Sequence, residues 1–281
     1  MRNLLSANLH RLRKSRVFWG CEIVSIVYAV FLSWEIYMDM RSNGFDHPLD
    51  TGLCQFIVFS GIILAVFCSL YLGAELGDGT VRNKIVAGHR RSHIYLASLL
   101  TCGIASLIMA LTYLAIYLAI SVPCLLPLEA DTGTVAAILA SSLVLALAYC
   151  AIYTLIAMLN SNKAVVSTVC ILLAFILFFA GIAIRQRLDE PESFELVEYD
   201  EETLETIYTG QIIQNTKFLS SSSRQVYEFL DNFLPGGQGL RLSGMMMPEL
   251  TFDWVLPLYS LGIVILCTGA GLVLFTRKDL N

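Results

Sequence analysis

Gly52-Leu-Cys-Gln-Phe-Ile-Val-Phe-Ser-Gly-Ile-Ile-Leu-Ala-Val-Phe-Cys-Ser-Leu-Tyr-Leu-Gly-Ala74 contains no Asp, Glu, Lys, Arg or His, and it breaks at once into Glu75-Leu-Gly-Asp-Gly-Thr-Val-Arg-Asn-Lys-Ile-Val-Ala-Gly88. A hydrocarbon core about 30 Å thick is crossed by roughly 20 apolar residues of helix, and the first string is long enough. In lipid every backbone N–H must find a partner within its own segment, so a run of this kind is helical. The second string changes solvent: glycines, an aspartate and two cations follow each other within a few residues.

Working outward, five further stretches pass the same test: Val17–Met38, Ile94–Val122, Thr134–Leu159, Ala164–Ile184 and Trp254–Thr276. The run from Ile94 is long for a perpendicular crossing and is expected to tilt or to extend beyond the bilayer. Only Asn160-Ser161-Asn162-Lys163 separates the fourth span from the fifth, which predicts a tight helical hairpin. The first run follows a basic leader, as a signal peptide would. It is too long for one and no small-residue cleavage site follows it, so it reads as an uncleaved span. Composition agrees: of 281 residues 56% are hydrophobic and only 15% charged, against about a quarter charged in a soluble domain. The expected fold class is all-α: a polytopic membrane protein with six transmembrane helices, an N-terminal interfacial helix and a helical extracellular segment between spans five and six.

A net charge of −5 without a clustered basic face argues against a nucleic-acid partner. The eight cysteines lie in or at the edge of apolar runs and form no CxxC pair, so neither a metal site nor a disulfide framework is expected.

Lysine and arginine placement sets the orientation. Arg2, Arg11, Arg13, Lys14 and Arg16 precede the first span; Arg82, Lys84, Arg90 and Arg91 follow the second; Lys163 joins the fourth to the fifth; Arg277 and Lys278 close the chain. The two short opposite loops hold Arg41 against Asp39, Asp46, Asp50, Glu129 and Asp131. Both termini are therefore expected in the cytoplasm, in the cell (plasma) membrane. The chain divides into a cytoplasmic helix over 1–16, spans one to five over 17–184 with a loop at 75–93, an outer segment over 185–253, and the last span and tail over 254–281. The outer segment is acidic from Asp189 to Glu205, where Leu196, Leu204 and Ile207 allow a helix. A second helix is expected around Arg224–Leu234 from the spacing of Val226, Phe229, Leu230 and Phe233. Ser220–Ser223 reads as a flexible joint, and Pro235-Gly236-Gly237 as the stop, with Gly236–Gly239 a turn.

Two features face the cytoplasm in this reading. In Met1–Ser15, Leu5, Leu9 and Leu12 share one helical face while Arg11, Arg13 and Lys14 take the rest, which suits a helix lying on the lipid surface. In the loop, Asp78 or Thr80 can cap a short helix over 81–87, Gly88 fits the left-handed position after it, Arg90 and Arg91 suit the negative end of its dipole, and Ser92 can cap the third span. Such a helix offers Arg82, Lys84, Ile85 and Val86 to a docking partner.

The order of elements and the string from Glu75 through Asp78, Gly79, Thr80, Arg82, Asn83, Lys84, Ile85 and Val86 to Gly88 resemble the ABC-2-type permeases, the membrane subunits of one class of ABC exporters. The resemblance implies that the loop after span two is a coupling helix seated in a cleft of a separate ATPase, flanked by Arg90 and Arg91. It implies a second, shorter coupling element at Asn160, Ser161, Asn162 and Lys163, an interfacial helix before span one, and short helices dipping into the outer face between spans five and six. Glu75 itself closes an apolar span with Arg82 and Lys84 near, and it reads either as an electrostatic latch between the coupling helix and the first or second span or as an ordinary helix-end carboxylate. The ending Phe275-Thr276-Arg277-Lys278-Asp279-Leu280 is similar to the family's terminal pattern, while the acidic outer stretch is longer than the family needs. The implied partners are ABC ATPase subunits that bind ATP and Mg, plus a second permease copy or a paralogue. The implied activity is ATP-driven export; the cargo itself is not read from the sequence, and only the scarcity of charge within the spans favours an amphipathic or peptide-like one.

The residues that would make the chain an enzyme are missing. No Gly-x-x-x-x-Gly-Lys-Ser/Thr phosphate loop occurs, so no cofactor is expected in this chain and ATP belongs to another. His10, His47, His89 and His93 lie in loops or at span ends, which leaves Ser60 without a base, and no catalytic residue is expected. Glu22 and Glu35 are the carboxylates within the first span, and both are read as reaching an interface rather than coupling an ion. The rival reading from another class is a non-transporting sensor or assembly factor that works through the acidic outer segment.

Overall fold

Three side chains start long helices by accepting backbone N–H bonds that no helical carbonyl can take. Ser15 accepts from Phe18; Asp131 accepts from Gly133 and Thr134 at 2.9 and 3.3 Å; Asn162 accepts from Ala164 and Val165 at 3.0 and 3.4 Å. The computed structural model describes residues 1–44, 46–199, 206–245 and 252–278. In order these form α1 (Arg2–Arg13), α2 (Arg16–Asn43), α3 (Asp50–Leu53), α4 (Phe56–Gly77), α5 (Thr80–Val86), α6 (Arg91–Ser121), α7 (Thr132–Leu159), α8 (Lys163–Leu188), β1 (Ser193–Tyr199), β2 (Thr206–Gln214), α9 (Ser221–Phe233), α10 (Pro235–Ser243) and α11 (Val255–Arg277). Six helical stretches are long and apolar enough to cross a membrane: α2, α3 with α4, α6, α7, α8 and α11. The architecture is all-α and polytopic. Ser92 does not cap α6, which starts at Arg91 with Arg90 at its N-cap and no side-chain bond.

The helix α7 lies at the centre, packed on α4, α6, α8, α10 and α11, while α2 packs on α6 and α4. Buried polar groups are spent on backbone, as a medium without water requires. Tyr113 and Tyr117 stack at 6.1 Å, and their hydroxyls donate to the carbonyls of Gly52 and Leu49 at 2.7 and 2.9 Å. Gly52 leaves room for this, because a Cβ there would lie 2.4 Å from the Tyr117 ring. At the acidic end the buried Asp50 carboxylate accepts the N–H groups of Glu129 and Ala130 at 3.3 and 2.9 Å, tying the two short loops together. Outward faces are apolar: Trp19, Phe31 and Trp34 on α2, Ile176 and Phe179 on α8, and Ile265 and Leu266 on α11 are all exposed.

The segment after α8 differs from expectation in three places. The described part of the acidic stretch, Ser193–Tyr199, is a strand rather than a helix, paired antiparallel with Thr206–Gln214, with Ser193 opposite Gln214 and Tyr199 opposite Thr206 and an irregularity between Glu195 and Val197. β-branched and aromatic residues crowd both strands, and the cross-strand ladder overrides a loose helical spacing of leucines. Leu204 of that expected helix lies outside the described residues, as do Asp279 and Leu280 of the tail. Ser220 is no joint: its hydroxyl oxygen caps α9 by accepting from Ser223 N. Pro235-Gly236-Gly237 ends α9 and immediately starts α10, so Gly236–Gly239 is helix rather than turn. Proline suits the first helical turn. The glycines serve close approach: a Cβ on Gly236 would meet Leu177 O at 1.8 Å, and one on Gly181 would meet the Gly236 carbonyl carbon at 2.6 Å. The helix α10 is thereby sunk among α4, α7 and α8, and Gln238, fully buried, accepts from Ser260 on α11 at 2.5 Å and donates to Phe233 O at 3.1 Å.

Candidate functional site

At the basic end, α4 stops where Gly79 takes a left-handed φ of +70°, a conformation glycine enters without steric cost. Thr80 starts α5 and donates its hydroxyl to Glu75 O at 2.6 Å, stitching the new helix to the old. The helix closes after Val86, and Gly88, at φ +87°, turns the chain toward α6. No side chain caps α5, since Asp78 is the C-cap residue of α4 instead.

A helical period of 3.6 divides α5 into two faces. Val81, Lys84 and Ile85 turn inward; Arg82, Asn83 and Val86 face out, Val86 at 80% exposure. Lys84 and Ile85, offered from the sequence to a docking partner, are partly buried on the side of α5 that faces the bundle. Lys84 Nζ binds Glu75 Oε1 and donates to Asn8 Oδ1 at 2.8 Å. The second oxygen of Glu75 accepts from Arg11 Nη2 at 2.5 Å. Arg11 Nε also donates to the Tyr71 hydroxyl at 3.2 Å, that hydroxyl donates to Asn8 O at 3.0 Å, and the guanidinium lies 4.1 Å from the Tyr71 ring centre. Glu75 is 1% exposed, so its charge is shut from water and matched by two cations from two other helices. Burial works against the Arg11 charge, but Glu75 and Tyr71 outweigh it and hold the guanidinium above its ordinary pKa. Beside this hub Leu4, Leu76, Val81, Ile94, Tyr95 and Phe275 form a separate apolar cluster.

Arg11 thus leaves the surface set proposed from the sequence; Arg13 and Lys14 remain exposed. The buried face of α1 is Leu4, Asn8 and Leu12, one step round from the leucine face expected, because Asn8 and Arg11 have polar partners inside. Arg82 makes none of these bonds. The other elements of this end are close by. Lys163 Cγ is 3.3 Å from where a Cβ on Gly73 would lie, so the loop Asn160–Lys163 abuts α4 two residues before Glu75, with Ser161, Asn162 and Lys163 exposed. Arg90 is exposed, whereas Arg91 Nη1 donates to Thr276 O at 3.3 Å and to Lys278 O, and Lys278 Nζ reaches Met158 O at 3.3 Å. The tail is thereby fastened to the start of α6 and the end of α7.

Sequence reasoning missed Asn8 and Tyr71, and it read Glu22 wrongly. Asn8 carried a signal, since a polar residue four from Leu4 and four from Leu12 shares their face. Glu35 is exposed, as expected, but Glu22 is 4% exposed and its Oε2 has no partner among the described residues. Among the described residues there is also no cluster of His, Cys, Asp and Glu able to hold a metal. The hub holds no nucleophile beside a base; what it supplies is a stiff polar link between α1, α4 and α5.

No curated protein matches the chain. A family model described as an ABC-2 family transporter protein matches residues 39–231, a stretch that takes in α4, the hub's Glu75, α5 and all of α6 to α8. The chain is accordingly a multi-pass membrane protein of the ABC-2 transporter family, the membrane component of an ABC transporter.

Proposed function

We propose that the chain is the permease half of an ATP-driven exporter in the plasma membrane, with both termini in the cytoplasm and α5 as the part gripped by separate ATPase subunits. The observation that carries this reading is the two-sided character of α5. Its outer face (Arg82, Asn83, Val86) is unspent on the chain's own packing, and its inner face is fixed to α1 and α4 through Glu75. A push on the outer face then moves α4 and α6 as rigid bodies, because the ion pairs and the Leu76–Val81–Ile94 cluster leave α5 no slack. The loop Asn160–Lys163, exposed beside it, is the second contact. Six spans enclose no path alone, so a second copy or a paralogue completes it. ATP and Mg are bound by the partner, which supplies the hydrolysis, and no residue here performs covalent chemistry.

The test is co-purification of the tagged chain with ABC ATPases of the same genome, together with ATP hydrolysis by the complex. Arg82→Glu combined with Val86→Asp reverses a charge and wets an apolar contact on the outer face only. The ATPase is expected to be lost from the complex while the folded chain is retained in the membrane. Unchanged co-purification would reject α5 as the docking element and favour a sensor or assembly factor working through the outer segment.

A further inference from the structure

At the acidic end, the last turn of α8, the helices α9 and α10 and the approach to α11 enclose a cavity of about 350 Å³, which falls among small-ligand clefts of about 300–1,000 Å³. Among the described residues that line it only Leu188 is apolar; the others are three arginines, four acids and Asn232. The two signs are layered. Arg185 and Arg241 lie deep, with 13% and 19% of their side chains exposed, whereas Asp189 and Glu228 stand at the rim with 48% and 52%. Deepest is Asp231, 2% exposed, which meets Arg185 through Oδ2 at 3.3 Å while its Oδ1 has no donor among the described residues.

These pairs leave much of their capacity open. A guanidinium carries several N–H groups in one planar fork, and each of the three uses one in a hydrogen bond: Arg185 Nη1 to Asp231, Arg224 Nε to Glu228 at 3.1 Å, and Arg241 Nη1 to Asn232 Oδ1. Asp189 and Asp253 stay 3.5 Å from Arg185 and Arg241, longer than a charge-assisted bond. Unused donors therefore lie inside and unused acceptors at the rim. A lone anion would gain the arginines and be repelled by the carboxylates; a lone cation would meet the reverse. A molecule with a carboxylate at one end and an ammonium at the other matches both layers, and the guanidinium fork suits a carboxylate. Burial raises the Asp231 carboxyl above its ordinary value, so this floor takes up a proton more readily than a free aspartate and opposes an incoming anion less. A wall with one apolar side chain calls for a polar body between the two charges.

The cavity also opens away from lipid. Exposed Val226 and Phe229 lie on the opposite side of α9 from Arg224, Glu228 and Asp231. Phe229 and Phe233 meet Tyr259 of the span α11 at 6.0 and 5.7 Å. The apolar side of α9 thus follows a span, and the charged side faces water. We propose that this cavity binds a small water-soluble zwitterion of the size of a short peptide, its carboxylate inward on Arg185 and Arg241 and its ammonium outward on Asp189 and Glu228. The site lies at the far end from α5 and does not rest on the docking reading above.

The test is isothermal titration calorimetry of the full chain in dodecyl maltoside at pH 7 and low salt, without any ATPase, with triglycine as the probe. Saturable binding of one triglycine per chain is expected, with N-acetyl-triglycine (no ammonium) and triglycine amide (no carboxylate) at least tenfold weaker. Arg185→Gln is expected to weaken triglycine at least tenfold. Asp189→Asn with Glu228→Gln changes only half-exposed rim groups and carries the test if Arg185→Gln does not fold; it is expected to abolish the preference for triglycine over its N-acetyl form. Absence of saturable binding, equal binding of either capped peptide, or tighter binding of dihexanoyl phosphatidylethanolamine, which would mark a lipid site, would overturn the proposal. None of these results bears on whether α5 docks an ATPase.

Discussion

Two clusters of arginine and acid sit at opposite ends of the bundle, and they are built differently. At the basic end Glu75 is wholly buried and held by Arg11 at 2.5 Å and by Lys84. At the acidic end Arg185 approaches Asp231 at 3.3 Å and Asp189 at 3.5 Å, and Arg241 approaches Asp253 at 3.5 Å. These groups surround a polar cavity of about 350 Å³, and Asp231 Oδ1 and Arg185 Nε are buried there without a hydrogen-bond partner among the described residues. In the first cluster both oxygens of the carboxylate are held by cations at short range, as a part that transmits force needs. The second is loose and roomy, and its members can exchange partners at little cost. Buried charge is therefore not one kind of feature in this chain: fully paired it stiffens, half-paired it leaves freedom.

The comparison breaks most visibly at Glu75. Glu75→Ala leaves Arg11 and Lys84 facing each other without their anion, and loss of one member of a buried pair costs about 3–5 kcal/mol, here toward the lower figure because Arg11 keeps a third of its side-chain exposure. A clear fall in the thermal unfolding midpoint of the detergent-solubilised chain is expected, and an unchanged midpoint would show that the hub carries no stability.

A smaller effect of opposite sign is expected at Asp231. Burial pushes its carboxyl above the ordinary value of 3.8, and Arg185 and Arg241 only partly oppose this. A carboxyl whose folded pKa is raised stabilises the fold below its unfolded pKa, and that contribution is lost as pH rises through the folded value. Asp231→Asn is therefore expected to unfold at or slightly above the wild-type temperature at pH 7. The difference shrinks as pH falls toward 3.8, and midpoints measured from pH 4 to 7 check it. A variant clearly less stable at pH 7 would mean that the outer ion pairs are as tight as the inner ones.

Much of this was legible in the residues. Uncharged length gave the spans, and Gly88 marked the end of the short helix, because left-handed turns leave a trace in single positions; the left-handed turn at Gly79 that starts it was not read. Direction was harder. Whether Lys84 points to a partner or to Glu75 depends on where α1 lies, and nothing near Lys84 in the chain encodes a contact with Asn8 that is 76 residues distant. Arg11 was hidden for the same reason, since a cation in an amphipathic leader suits lipid headgroups just as well. The outer segment failed in the opposite way: glycines that read as a turn are there so that α10 can touch α8 backbone to backbone, a need only the packed structure reveals. Glu22 looked able to reach an interface until α2 was seen to turn that face inward.

The most direct measurement is photocrosslinking from single positions of α5 in cells that express the chain with its ABC ATPases. A photoreactive residue at Val86 is predicted to give an adduct enlarged by the ATPase, whereas one at Ile85, on the inner face, is predicted to react within the chain. Adducts from Val86 that contain lipid alone, with the ATPases present at normal levels, would contradict the account.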